Sequence, residues 1–100
     1  MTFQEFEATL GAKQPPATLP LLLRALWLER NGQWSGAHDI AQRDEADPLF
    51  CWLHAYLHRR EGDLGNAGHW YRRAGRTGFA GTEAEEWQAL AQAALGKEIV

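Results

Sequence analysis

The chain has one cysteine, one serine and no apolar run approaching the roughly 20 residues that cross a bilayer, and each scarcity removes a class of function. Cys51 alone cannot form an intramolecular disulfide, so nothing points to an oxidising compartment. Ser35, the only serine, lies where a helix N-cap is wanted and outside any Gly-x-Ser-x-Gly elbow, which argues against a serine nucleophile. The opening Met-Thr-Phe-Gln-Glu-Phe-Glu has neither the basic start nor the apolar stretch of a signal peptide. Gly75, Gly78 and Gly81 come without a Walker lysine or a preceding strand, so no phosphate loop is expected. Together these absences lead to the expectation of a cytoplasmic protein that is not an enzyme and does not enter a membrane.

What is present suits one folded domain over residues 1–100. Hydrophobic residues at 45% and charged residues at 23% are ordinary globular values, which excludes disorder by composition. Five tryptophans are the unusual feature, able to fill either a small core or an interface. The net charge of −3 conceals a basic stretch in which Arg59, Arg60, Arg72, Arg73 and Arg76 outnumber Glu61 and Asp63. Nucleic-acid domains are usually basic overall, whereas residues 1–50 here are acidic on balance, so the stretch reads as a solvated helix face and nucleic acid is disfavoured as a partner.

Local signals divide the chain into helices. Thr2 with Glu5 forms a capping-box pattern for a short helix over 2–10, and Pro15-Pro16 marks an extended linker. Thr18 is the expected N-cap of a second helix reaching Arg30, and a third follows Gln33-Trp34-Ser35 and ends near Asp44 to Asp47. Asp47-Pro48 opens a fourth, whose Leu49, Trp52, Leu53, Tyr56 and Leu57 recur at helical spacing up to Glu61. Gly62-Asp63 ends it and caps a fifth over about 64–75. Thr82 with Glu85 is a second capping box, opening a capping helix over about 83–95 that Gly96 should terminate. No segment carries a strand signal.

The middle of the chain is an internal repeat. At an offset of thirty residues, Gly32 pairs with Gly62, Leu23 with Leu53, Ala25 with Ala55, Trp34 with Leu64, Ala37 with Ala67 and Ile40 with Trp70. The alanines let paired helices approach closely, and the glycine takes the turn between them. This Ala-x6-Gly-x-[Trp/Leu]-x2-Ala pattern resembles the tetratricopeptide repeat, and Ala67-x2-Trp70-Tyr71-Arg72-Arg73-Ala74 looks like the second helix of its Sel-like relatives. The resemblance implies an all-α fold of two antiparallel helical hairpins, about 18–46 and 48–76, flanked by short N- and C-terminal helices.

The same resemblance implies a non-enzymatic protein-protein interaction or scaffold module that meets a protein or peptide partner, or a second copy of itself. Its groove-facing positions correspond to Leu22, Leu26, Glu29 and Arg30 in the first unit and to Trp52, Tyr56, Arg59 and Arg60 in the second. Two hairpins cannot bury their own surfaces, so the terminal helices are expected over part of this face. Trp52 is then partly buried, with Tyr56 and Arg59 left accessible as a narrow contact surface.

A second chemistry is legible on the fourth helix. Cys51, His54 and His58 are spaced to lie within roughly 60° of one another around the helix axis, which is metal-ligand spacing. Thiolate and imidazole together suit zinc, with His38, His69, Glu61 or Asp63 available to complete the shell. The alternative expectation is therefore a small metal-binding domain. Otherwise no cofactor is expected, and Cys51 packs as a small hydrophobe.

Overall fold

The computed structural model describes residues 1–99, with side chains through Lys97. Its described residues form an all-α fold with no strand: α1 (Phe3–Ala8), α2 (Leu21–Arg30), α3 (Trp34–Ala41), α4 (Pro48–Glu61), α5 (Leu64–Arg73) and α6 (Glu83–Ile99), with a 3-10 turn over Thr9–Gly11. Three helix starts follow directly from their caps. Both Thr2 and Thr82 close reciprocal boxes with Glu5 and Glu85, and the Asp47 carboxylate accepts from the backbone N–H of Leu49 and Phe50 ahead of Pro48. Each such cap satisfies helix-end donors that would otherwise have no partner.

Local signals misplaced three other boundaries. Thr18 does not cap α2, which begins at Leu21 after an extended Pro20, and α3 follows Gln33 with Ser35 already inside the helix. The final helix runs through Gly96 to Ile99 instead of stopping at residue 95. Gly96 has the cost of a helix-interior glycine, roughly 1 kcal/mol relative to alanine, but packing of the preceding turns outweighs it. Leu90, Ala91, Ala94 and Leu95 are all buried there.

Several residues thirty apart in the chain share burial or turn conformation. Leu23 and Leu53, Ala25 and Ala55, and Ala37 and Ala67 are buried in matched pairs. Gly32 and Gly62 both adopt left-handed backbone conformations, with φ of 79° and 85°. At each, the glycine N–H bonds three residues back, to Glu29 or Arg59, and the next N–H bonds five back, to Leu28 or His58. A side chain at either glycine would be strained by φ alone, which is the physical reason the turn selects glycine twice.

α2 packs on α3 and α4 on α5, and α3 meets α4 where the two pairs join; α6 lies on α2 and α4, and α1 lies against α6. Tryptophans fix these contacts as core. Phe6 stacks on Trp87 at 5.6 Å, the Trp87 indole N–H donates to the Leu26 carbonyl, and that of Trp27 donates to the Thr9 carbonyl. At the centre, α4 is buried on every side: Cys51 through His58 are eight consecutive buried residues.

Candidate metal centre

Two of the buried residues on α4 are histidines, His54 and His58, one turn apart with their rings stacked at 4.9 Å. α3 supplies a third, because His38 sits on its last turn and crosses the join between the helix pairs. His38 Nε2 and His54 Nε2 share a hydrogen bond of 3.0 Å. One ring nitrogen of each of the three histidines falls within 4.8 Å of the others. Tryptophans wall the cluster: Trp34 stacks on His38 at 4.8 Å, and Trp70 from α5 stacks on His54 at 3.9 Å. Trp34 is itself held by its indole N–H, which donates to the Leu57 carbonyl at 2.7 Å.

Burial sets the electrostatics. Desolvation, reinforced by the neighbouring histidines, pushes the His54 pKa down to about 4. Burial and the nearby His58 lower that of His38 as well. Both are therefore neutral imidazoles at pH 7, the form that offers a lone pair to a metal. His54 is 3% exposed, and its Nδ1 is the one buried side-chain nitrogen or oxygen among the described residues without a hydrogen-bond partner. A buried polar atom left in that state costs roughly 1–3 kcal/mol.

The donor set fits a borderline transition-metal ion. Zn–N bonds of about 2.0–2.1 Å in a tetrahedron would place ligand nitrogens roughly 3.3 Å apart, so from a separation of 4.8 Å or less the rings would have to close by no more than about 1.5 Å. His38, His54 and His58 would hold such an ion with three imidazoles, a set that in general leaves room for water or a small ligand.

Cys51 does not join the expected trio. Its Sγ donates to the Glu45 carbonyl at 3.1 Å, and burial raises its pKa, so it stays a thiol facing the α3–α4 connection. The reason is distance along the helix: seven residues separate Cys51 from His58, a rise of roughly 10 Å. His38 takes its place. In sequence His38 is only one of four residues able to complete a shell, and the 3.6-residue period carries no signal that α3 will deliver it to α4.

The face expected to meet a partner is covered instead. Leu22, Leu26, Trp52 and Tyr56 are buried, and Tyr56 is not the accessible contact expected of it. α6 brings Glu86, 0% exposed, onto this face: one carboxylate oxygen accepts from Trp52 Nε1 at 2.9 Å and Tyr71 Oη at 2.6 Å, the other from Arg59 Nη1 at 2.8 Å. Tyr56 Oη donates to the buried Glu29, and Arg60 pairs with Glu83 at 3.0 Å. Burial and these carboxylates raise the pKa of both tyrosines. Arg59 and Arg60 keep some exposure but are engaged within the chain. The rest of the basic stretch is dispersed, with Arg73 bonded to the Glu45 carbonyl and Arg76 over the Trp52 ring at 3.6 Å.

Among protein-family models, curated proteins and solved structures, none matches this chain. No helix among the described residues is long and apolar enough to cross a membrane.

Proposed function

We propose that this chain is a small helical domain that binds one divalent transition-metal ion of the zinc or copper class through His38, His54 and His58. One observation carries the reading: three imidazoles from two different helices converge to within 4.8 Å, two of them buried and the third partly so. Imidazole-only donor sets favour ions of this class over calcium or magnesium, which take oxygen ligands. The ion joins α3 to α4, so binding stabilises the contact between the two helix pairs. Titration of the purified, chelator-treated protein with Zn(II) and Co(II) tests this. One equivalent should bind, and His38→Ala and His54→Ala should each abolish tight binding. A wild type that takes up no ion, or variants that bind as well as wild type, would overturn it.

A second reading, the tetratricopeptide-like interaction module, draws support from the matched turns at Gly32 and Gly62 and from an open apolar hollow. The hollow, of about 230 Å³, lies among Pro20, Leu21, Leu22, Phe50, Ala94 and Lys97. In this reading a protein or peptide docks there, beside the buried face and not on it. Affinity capture with wild type and with Leu21→Asp, which changes an exposed rim residue, checks it. A partner retained equally by both would place docking elsewhere.

A further inference from the structure

His58 has two ring nitrogens, and only one is free for an ion. Its Nδ1 lies 2.7 Å from Glu61 Oε1, one turn further along α4. The main chain holds this pair in place. The Gly62 N–H bonds to the Arg59 carbonyl and the Asp63 N–H to the His58 carbonyl, fixing the helix end on which Glu61 stands. Asp63 adds a second carboxylate to the same side, with one oxygen within 4.8 Å of both His58 and Glu61. That carboxylate also caps α5 by accepting from the Asn66 N–H.

An isolated histidine–glutamate pair three residues apart at a helix end is ordinary surface chemistry. This one differs because His58 is 6% exposed and belongs to the three-histidine group. We infer that Glu61 is the positioning residue of the metal site, an outer carboxylate that holds His58 in the Nδ1–H tautomer and so presents the Nε2 lone pair to the ion; the inference rests on the metal reading above. The two nitrogens of an imidazole diverge across the ring, so a carboxylate bonded at Nδ1 cannot share an ion bound at Nε2. Glu61 therefore acts through His58 and is not itself a ligand. A carboxylate in that outer position fixes the orientation of the ring as well as its tautomer. Neither His38 nor His54 has such a partner on its second nitrogen among the described residues, so His58 is the ligand whose orientation is set before the ion arrives.

The test has one arm without metal and one with it, both on the full chain. In metal-free protein at pH 8, ¹⁵N-edited NMR of the histidine rings should show His58 as the Nδ1–H tautomer in wild type, with that preference lost in Glu61→Ala and kept in Glu61→Gln, whose amide oxygen still accepts. With Zn(II), and with Co(II) as a spectroscopic probe, Glu61→Ala should lose roughly 10- to 100-fold in affinity and Glu61→Gln less. Asp39→Asn removes an exposed carboxylate whose charge reaches His38 without a hydrogen bond to a ring, and should change affinity little. A wild type that binds no Zn(II) overturns the metal reading and the role of Glu61 with it. A wild type that binds, alongside a Glu61→Ala variant that binds equally well or leaves the His58 tautomer unmoved, overturns the role of Glu61 alone. An Asp39→Asn loss as large as that of Glu61→Ala would do the same, by reducing the effect to charge.

Discussion

α4 carries two buried polar clusters on opposite sides, and they are satisfied to different degrees. Toward α6, both Glu86 oxygens are hydrogen-bonded, by an indole, a phenol and a guanidinium. Toward α3 and α5, three imidazoles crowd together, of which only His38 and His54 share a hydrogen bond, and His54 Nδ1 is left with nothing. A closed network fastens one helix to another and has no capacity for a further group. A cluster with an unmet buried nitrogen is less stable than it could be, and buried polar groups in that condition call for an explanation. In the metal reading proposed above, an ion would take up the lone pairs that these rings turn toward one another.

The strongest way to break this comparison is to open the satisfied side. Glu86→Ala leaves the Arg59 charge and two buried donors without their acceptor, and should cost about 3–5 kcal/mol in denaturant unfolding, where breaking a buried pair by removing one partner falls. A loss below 1 kcal/mol would mean that the network does not hold α6.

Acid should attack the other side. The folded pKa of His54 lies near 4, against 6.5 for an ordinary histidine, so the unfolded chain binds more protons between those values. Stability is then fully present above pH 6.5 and falls as pH drops toward 4, by on the order of 3 kcal/mol from this one group, with His38 adding in the same direction. Unfolding of metal-free protein at pH 7.5 and 5 measures it, and His54→Phe should flatten the slope. Carboxylates whose pKa is lowered, such as Asp47, titrate mainly below this window.

Saturating the histidines with an ion sharpens the contrast by a comparable amount. Zn(II) at 100 times its dissociation constant should stabilise the fold by about 2.7 kcal/mol, seen as a rise in melting temperature. The same addition to His38→Ala should give no rise. The smallest effect is expected at Cys51, which faces Glu45: Cys51→Ala should leave ion affinity within twofold of wild type, whereas a thiolate ligand would make the loss large.

Much of the fold was legible in the chain. Thr2, Asp47 and Thr82 announce helix starts because a cap is a contact between residues two or three apart, and Gly32 and Gly62 announce turns because a left-handed backbone favours glycine. The candidate site was only half legible. His54 and His58 share a helix and a face, so spacing alone associates them, but Cys51 met the same spacing rule and proved to be elsewhere. Spacing constrains angle around an axis and says little about what stands opposite each turn.

By itself, then, the sequence determined the helical class and the order of the helices, both of which follow from short-range spacing. Tertiary structure decided which neighbour each side of α4 would meet. An amphipathic helix announces its inward face, but α4 is buried from Cys51 through His58 and has no solvent side from which to infer the others. Only the packing of α3, α6 and α2 around α4 brought His38 to the histidines and covered Trp52 with Glu86 from α6 and Tyr56 with Glu29 from α2.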